Sequence, residues 1–319
     1  MIESTDSEQL SANSKLNRFG LIDWNSWSNR FLIAISFTLI DSYLRLLTSK
    51  STIELRGETL KLNTSQIQTF QQVGFLEIPH RVIENDHLQQ LCRSYDQVFE
   101  QRYQTTGQGW RNLSVTADGT GQQQNEMLQV GEMWQKSNAF RELLYHQPLL
   151  DIATSLIGPN VQLFHDQALY KPAKIGGPVP WHQDNGYWRC QPADLISIWM
   201  ALDDADTANG CMNVVPGSHL ESQPNHSRAQ EEGQELPALL SVEVDASQSV
   251  PVPLKAGHAM VHHCLTLHQT HPNRSNQDRR AMVIHYMPVG TRNGEGILLK
   301  DNLLLSGQHL PTDQPKDSK

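Results

Sequence analysis

The segment "GPNVQLFHDQALY" (residues 158–170) decides the fold, because the pattern of apolar residues changes from helical to strand-like within it. On its N-terminal side, apolar residues recur every three or four positions, as on one face of an amphipathic helix. On its C-terminal side, short apolar or alternating runs are separated by Gly, Pro and Asn. Helices followed by many short strands predict an α+β domain whose strand-rich part is a β-sandwich or a jelly-roll barrel.

The first predicted helix lies in "NTSQIQTFQQVGF" (residues 63–75). Ser65 and Gln68 have the spacing of a capping box, in which the two side chains satisfy the free backbone amides of the first turn. Gly74 suits the position after the last helical residue, where the backbone often turns left-handed. We therefore predict a short helix that begins near Ser65 and ends before Gly74.

Two more helices and a series of strands follow. A helix is predicted from about Asp86, and another within residues 138–158, broken near Pro148. The Asn209-Gly210 pair is a hairpin-type turn signal between two of the strand-like runs. These runs are "VQLFHDQALY" (161–170), "LISIWMAL" (195–202), "CMNVV" (211–215), "AMVHHCLTLHQT" (259–270) and "RRAMVIHYM" (279–287).

The bulk composition narrows the class of protein. The 34 acidic and 25 basic residues give a net charge of -9, which argues against a general nucleic-acid-binding protein with a basic face. The four cysteines are scattered and form no C-x-x-C pair. This usage argues against a disulfide framework or a structural zinc site, and it predicts a cytoplasmic location.

Composition also divides the chain into an N-terminal appendage (residues 1–56), a main domain (57–305) and a polar tail (306–319). The apolar run at residues 30–40 is about half the ~20 residues that a transmembrane helix needs. We therefore expect no membrane span. Residues 30–47 are predicted to form a helix that docks on the main domain, or an interfacial helix that contacts a membrane surface or a second copy of the chain.

The triplet His182-Gln183-Asp184 is a candidate metal site. On a strand, residues i and i+2 point to the same side, so the imidazole and the carboxylate can converge on one divalent metal. A second histidine would complete the two-histidine, one-carboxylate set of non-haem Fe(II) oxygenases, which leaves open positions on the metal. Spacing alone leaves several downstream candidates for it, namely His258, His262, His263, His268 and His271.

An oxygenase of this kind usually takes two electrons from 2-oxoglutarate, whose far carboxylate needs a buried cation. Arginine suits this role, because its guanidinium binds a carboxylate with two parallel hydrogen bonds and stays charged when desolvated. Arg279 and Arg280 begin a predicted strand, and only one of two neighbouring strand residues can face inward. The simpler alternative is an exposed strand entrance with no ligand.

Three motifs together resemble the phytanoyl-CoA dioxygenase family of Fe(II)/2-oxoglutarate-dependent oxygenases: "WHQD" (181–184), "NGCMNVVPGSH" (209–219) and "HQTHPNRSNQDRRA" (268–281). The resemblance covers roughly residues 60–300 and implies a double-stranded β-helix (jelly-roll, cupin-like) core with flanking helices. It implies that the Fe(II) ligands are His182, Asp184 and His268. The 2-oxoglutarate-binding residues that it implies are Arg279, Thr270, Gln167 and Trp199.

The same resemblance implies a dioxygenase that uses Fe(II), 2-oxoglutarate and O2 to hydroxylate a small organic metabolite, with release of succinate and CO2. His219 and Trp188 are the predicted substrate contacts. The sequence departs from the family where a lysine of some members is replaced, at Gln129 or Val130. Because Asp184 is retained, hydroxylation is favoured over halogenation. The alternatives are a different metal enzyme, such as a zinc hydrolase, and a non-catalytic binding module on the same fold.

Overall fold

The computed structural model describes residues 60–101, 109–115, 126–231 and 234–310. Its helices are α1 (Thr64–Val73), α2 (Asn85–Glu100), α3 (Met133–Lys136), α4 (Asn138–Leu143), α5 (Gln147–Ile157) and α6 (Asp184–Trp188). Its long strands are β4 (Val161–Lys171), β6 (Ile196–Ala201), β9 (Gln234–Ser241), β11 (Ala259–His263) and β13 (Arg279–Pro288). Its shorter strands are β1 (Phe75–Glu77), β2 (Trp110–Asn112), β3 (Leu128–Gly131), β5 (Val179–His182), β7 (Met212–Val214), β8 (Ser227–Glu231), β10 (Val250–Val252), β12 (His268–Thr270) and β14 (Leu304–Ser306).

These strands form a large sheet, a small sheet and a hairpin, all with antiparallel pairing. The large sheet has the order β1-β11-β6-β13-β4-β3-β2, with β14 also paired to β4. The small sheet has the order β10-β7-β12-β5, and β8 pairs with β9 as a separate hairpin. Neighbours in both sheets come from distant parts of the chain, as in a jelly roll. The predicted fold class is confirmed.

Side-chain alternation gives the large sheet two different faces. On β13, Met282, Ile284 and Tyr286 belong to the main core, which includes residues of helices α2, α4 and α5. Ala281 and Val283 point to the opposite side, where they pack with residues of the small sheet such as Met212. The helices therefore cover one face of the large sheet, and the other face is free to line a site between the sheets.

The N-cap of helix α1 lies two residues earlier than predicted. Its N-cap is Asn63, whose side chain accepts a hydrogen bond from the Gln66 backbone amide, while the Gln66 side chain accepts one from the Asn63 amide. The predicted capping box of Ser65 and Gln68 is wrong, because Asn63 and Gln66 have the same spacing and start the helix first. The prediction for Gly74 is confirmed: it ends the helix with a φ of 80°.

The Asn209-Gly210 turn exists, but the predicted hairpin is wrong. The turn lies between β6 of the large sheet and β7 of the small sheet, so it connects the two layers. The Asn209 side chain holds it by accepting from the Asp206 amide and donating to the Asp204 carbonyl. Gly210 has a φ of 83°, and a side chain there would meet the His271 carbonyl. The crossing to the second sheet therefore requires this glycine.

Several predictions concern parts of the chain that the structure does not describe. The appendage at residues 1–56, including the predicted helix at 30–47, lies outside the described residues, as do residues 311–319 of the tail. Among the residues that are described, no helix is long and apolar enough to cross a bilayer. Residue Pro148 stands within the first turn of α5 and separates this helix from α4, as predicted.

Asp166 gives the fold a pH-dependent weakness that can be measured. It is fully buried on β4, where burial, together with the charge of Glu132, raises its pKa to about 8. In the unfolded chain an aspartate has a pKa near 4. Between these two pKa values the unfolded chain releases the proton and the folded protein keeps it. The protonation of Asp166 therefore makes its full contribution to the free energy of unfolding only below pH 4, and this contribution is lost as the pH rises through 8.

We therefore expect Asp166→Asn to gain stability over the wild type as pH rises, by about 4 kcal/mol between pH 5 and pH 8. Asparagine keeps an oxygen that can accept the Trp134 amide hydrogen bond (3.1 Å), so the substitution mainly removes the titration. Urea denaturation of both proteins at pH 5, 7 and 9 measures this difference. An equal difference in unfolding free energy at all three pH values would show that Asp166 does not titrate in this range.

Candidate active site

Two histidines and one aspartate converge between the sheets. His182 is the last residue of β5, Asp184 the first of α6, and His268 the first of β12. Strands β5 and β12 pair so that His268 lies opposite His182. The Asp184 Oδ1 atom is 3.8 Å from Nε2 of His182 and 3.6 Å from Nε2 of His268. The three side chains are buried, and one potential ligand atom from each lies within 4.8 Å of the others.

The backbone brings His182 and Asp184 together differently from the prediction. Both were expected on one strand, but β5 ends at His182 and the chain enters α6 at Asp184. Gln183 between them is fully buried, and its side-chain amide donates to the Leu265 carbonyl at 2.6 Å. This hydrogen bond ties the strand end to the loop before β12 and directs Gln183 away from the three converging side chains.

Backbone carbonyls determine which ring nitrogen of His182 and of His268 carries the hydrogen. Nδ1 of His182 lies 2.8 Å from the Pro180 carbonyl, and Nδ1 of His268 lies 2.9 Å from the Thr266 carbonyl. Because a carbonyl can only accept, each ring carries its hydrogen on Nδ1. Each Nε2 then presents a lone pair toward the side of Asp184. Two imidazole lone pairs and one carboxylate form a donor set that fits Fe(II) or another divalent transition metal.

The electrostatics favour the forms that bind metal. Burial lowers the pKa of His182, and burial together with the neighbouring His182 lowers the pKa of His268 well below its ordinary value. Burial opposes ionisation of Asp184, but His268 and His262 beside it hold the pKa of its carboxyl well below the usual range. At neutral pH the two histidines are therefore neutral and the aspartate is charged, so no proton has to leave before a cation binds.

The structure also separates His268 from the other candidate histidines. Nε2 of His262 lies 3.1 Å from Oδ2 of Asp184, so this ring donates to the aspartate and does not join the ligand set. His263 is on the other face of β11, next to His219 and Phe70. His271 is exposed, and His258 lies in the turn before β11.

A cavity of about 310 Å³ opens beside the three ligand candidates. All four residues predicted to bind 2-oxoglutarate line it, as does Trp188. Three of them have buried polar atoms with no hydrogen-bond partner among the described residues, namely all three guanidinium nitrogens of Arg279, Oγ1 of Thr270 and Nε1 of Trp199. Buried polar groups are rarely left unpaired, so this cluster indicates a polar ligand that completes it.

Among these residues, Arg279 indicates a bound polar ligand most strongly. Its side chain is fully buried, and its Cζ atom lies 5.4 Å from the centre of the Trp199 ring. Burial lowers its pKa only to about 10, so the guanidinium is charged at neutral pH. A buried, charged guanidinium with no counter-ion among the described residues fits a carboxylate. Arg280 faces the other way and binds Asp203 and Asp96. The structure therefore places Arg279 inward.

Lys171 fixes the end of strand β12 in place. Its buried ammonium group donates to the carbonyls of Gly177 (2.7 Å), His271 (2.6 Å) and Thr270 (3.4 Å). Burial, together with the charge of Arg279, lowers its pKa well below the ordinary value. Because β12 carries both His268 and Thr270, this lysine links the metal ligand set to the arginine-containing end of the cavity. The sequence patterns did not single it out.

The remaining predicted residues have different surroundings. Gln167 lines the cavity, where its side chain accepts a hydrogen bond from Gln129 and lies 3.1 Å from Nε2 of His285. Of the two positions proposed to replace a family lysine, Gln129 faces the cavity and Val130 belongs to the main core. Trp188 packs against His285, with ring centres 4.8 Å apart.

His219 lies outside this cavity, and its position does not support the predicted substrate contact. Its ring packs against Gly74, and its Nε2 lies 3.1 Å from the Gln71 carbonyl of α1. The side chain lies between α1 and the outer face of β11, where the centre of the His263 ring is 5.4 Å away. His219 therefore anchors α1 to the barrel.

Comparison with known proteins agrees with the geometry. Residues 70–281 match the family model described as phytanoyl-CoA dioxygenase (PhyH). A relative from Caenorhabditis elegans, a phytanoyl-CoA dioxygenase domain-containing protein 1 homolog, is 31% identical over 157 residues, which cover 47% of this chain and 50% of that protein. The peroxisomal phytanoyl-CoA dioxygenase of Rattus norvegicus is 23% identical over 233 residues, which cover 70% and 68%.

The fold has a solved counterpart in the non-haem alpha-ketoglutarate-dependent carbocyclase SnoK of nogalamycin biosynthesis. The two structures match with a TM-score of 0.60 and 23% identity, over 76% of this chain and 91% of the carbocyclase. The chain spans about half the length of the nematode relatives that it matches. Since the family model covers about two thirds of the sequence, from α1 to β13, the chain belongs to the phytanoyl-CoA dioxygenase family.

Proposed function

We propose that the protein is an Fe(II)- and 2-oxoglutarate-dependent dioxygenase that hydroxylates a small organic metabolite. The proposal rests on one observation. Two neutral histidines and one aspartate, placed so that they could bind a metal, line the same cavity as the guanidinium of Arg279, which has no partner among the described residues. The first feature fits a divalent metal, and the second fits the far carboxylate of a dicarboxylic acid. A zinc hydrolase would not need the buried guanidinium of Arg279, because it uses no 2-oxoglutarate.

His182, Asp184 and His268 are the residues that would hold the iron. Bound there, iron would supply the oxidative chemistry in which 2-oxoglutarate and O2 are converted to succinate and CO2 while the substrate is hydroxylated. This chemistry would require no acid or base from the described residues. The described residues would hold the metal from one side, keep its ligands deprotonated and exclude bulk water from a buried pocket.

Arg279 would orient the co-substrate by its far carboxylate, and Thr270 would add a hydroxyl donor next to it. The two residues line the same cavity from different sheets, β13 and β12. Trp199 contributes its ring to the Arg279 side and its indole nitrogen to the cavity. This arrangement would hold 2-oxoglutarate along a line from Arg279 to the metal ligands.

The remaining lining residues determine how polar the substrate side of the cavity is. Besides Arg111, Tyr187 and Trp188, eight apolar residues line the cavity, namely Leu113, Met127, Leu169, Val179, Met212, Ala238, Leu239 and Val283. The volume of about 310 Å³ has to hold both the co-substrate and the substrate. A small, largely apolar metabolite fits this space best. A cytoplasmic location remains a prediction.

Turnover assays test the proposed reaction. The protein, supplied with Fe(II), 2-oxoglutarate and O2, is expected to form succinate, and a screen of small metabolites is expected to find compounds that accelerate it. Omission of either Fe(II) or 2-oxoglutarate should abolish succinate formation. Hydrolytic activity supported by Zn²⁺ in the absence of 2-oxoglutarate would contradict the proposal and favour a hydrolase.

A further inference from the structure

A row of four polar residues crosses the large sheet on the face that carries the site. Strand register places His165 opposite His285 on β4 and β13, His285 opposite Ser197 on β6, and Ser197 opposite His262 on β11. We call these four residues the polar row. Ser197 and His262 are buried and contact Asp184, so the row supports the carboxylate from the sheet side.

Both contacts reach the same oxygen of Asp184. The hydroxyl of Ser197 lies 2.7 Å from Oδ2, and Nε2 of His262 lies 3.1 Å from it. A carboxylate can only accept, so Ser197 and His262 both donate. The other oxygen, Oδ1, is the one that lies 3.8 Å and 3.6 Å from Nε2 of the two histidine ligands. The two oxygens therefore have separate surroundings.

The hydrogen-bond directions behind Ser197 are also determined. Since its one hydroxyl hydrogen goes to Asp184, Ser197 must accept from Nδ1 of His285, 2.7 Å away. The neutral His285 ring then accepts at Nε2, where the Gln167 amide lies 3.1 Å away. Gln167 in turn accepts from Gln129. Every donor in this chain points toward Asp184, which fixes the serine hydrogen in place.

From this geometry we infer that Ser197 and His262 are positioning residues that restrict Asp184 to one-oxygen coordination of the metal. The inference rests on the proposed function. A carboxylate with both oxygens free can chelate a metal and occupy two positions. With Oδ2 held by two donors, only Oδ1 faces the histidines. The positions that 2-oxoglutarate and O2 need then stay open.

The variants His262→Phe and Ser197→Ala test the inference. Nδ1 of His262 has no partner among the described residues, so phenylalanine keeps the ring, 4.5 Å from His268, and removes only the hydrogen bond to Asp184. Ser197→Ala removes the other donor. Ser218→Ala is the matched control, because Ser218 is also buried and bonded to the backbone near His268, without contact to Asp184.

Two affinities are measured by calorimetry for each variant: that for Fe(II) under anaerobic conditions, and that for 2-oxoglutarate at saturating Fe(II). We expect His262→Phe and Ser197→Ala to bind Fe(II) at least as tightly as the wild type. Their 2-oxoglutarate affinity should fall by roughly 10- to 100-fold, with a shifted visible absorption of the Fe(II)–2-oxoglutarate complex. Ser218→Ala should match the wild type in both affinities and in the spectrum.

Two results would overturn the inference. Wild-type 2-oxoglutarate affinity and spectrum in both variants would show that the hydrogen bonds to Oδ2 do not restrict the carboxylate. A loss of Fe(II) affinity equal to the loss of 2-oxoglutarate affinity would show that the donors only hold Asp184 in place. Failure of the wild type to form the complex would instead refute the proposed function, so the two failures are distinguishable.

Discussion

The Arg279→Met variant is expected to lose 2-oxoglutarate affinity by roughly 30-fold to several thousand-fold while keeping its affinity for Fe(II). The range follows from the ~2–5 kcal/mol that truncation of one partner of a buried, hydrogen-bonded charge pair costs. Arg279 is fully buried and lines the cavity, but it is not among the residues whose ligand atoms converge near Asp184. Calorimetric titration of Fe(II), followed by 2-oxoglutarate, separates the two affinities.

The same substitution should make the ligand-free protein more stable. The guanidinium nitrogens of Arg279 have no partner among the described residues, so none of these residues offsets the cost of burying its charge in the ligand-free protein. Methionine has a similar length and removes that cost, typically more than ~1 kcal/mol. Saturating 2-oxoglutarate should reverse the order, because only the wild type gains stability from binding, about 2.7 kcal/mol at a ligand concentration of 100 Kd.

Arg280→Ala is the matched control for Arg279→Met. Arg280 is the next residue on β13, but its side chain lies on the opposite face, where it forms ion pairs with Asp203 and Asp96. This variant should lose some stability and keep the wild-type affinity for 2-oxoglutarate. If both variants lost co-substrate affinity equally, or if neither did, the assignment of Arg279 as the carboxylate-binding residue would be wrong.

The second large effect is expected at His268. His268→Ala removes one of three protein ligands and should weaken binding of Fe(II) or Co(II) by about 100-fold or more, since the four ligands of a structural zinc site together contribute ~10–16 kcal/mol. His271→Ala, three residues further along, removes an exposed imidazole outside the ligand set and should bind metal like the wild type. Anaerobic metal titration of both variants makes the comparison.

This pair of variants tests the choice among the clustered histidines directly. Equal loss of metal affinity in His268→Ala and His271→Ala would mean that the segment binds metal in a different arrangement. Retention of wild-type affinity in His268→Ala would exclude it as a ligand. Thermal unfolding of the ligand-free variants controls for misfolding, because removal of the His268 ring, whose centre lies 4.2 Å from that of His182, leaves a gap among buried side chains.

Local patterns in the sequence predicted much of the fold. Helical spacing identified α1, α2 and the pair α4 and α5, and short apolar or alternating runs identified β4, β6, β7, β11, β12 and β13. The side-chain alternation on β13 would also have found His285, since residues 279, 281, 283 and 285 share one face.

Long-range pairing accounts for what the sequence patterns missed. Nothing local distinguishes an Asn-Gly turn in a hairpin from one that connects two sheets, so the destination of the Asn209-Gly210 turn followed only from the pairing of β7 with β12. The choice of His268 and the contact of Ser197 with Asp184 likewise depend on register between strands far apart in sequence. His219 lies within one of the motifs that carry the family resemblance, but its side chain does not line the cavity.

The most direct test of the account is the visible absorption of the protein mixed with Fe(II) and 2-oxoglutarate in the absence of oxygen. A metal-to-ligand charge-transfer band forms only when 2-oxoglutarate chelates an iron held by the protein. The account predicts a band in the wild type and none in His182→Ala, which lacks a buried ligand of the set. Absence of the band in the wild type, or an unchanged band in His182→Ala, would contradict the assignment of this cavity as an Fe(II)/2-oxoglutarate site.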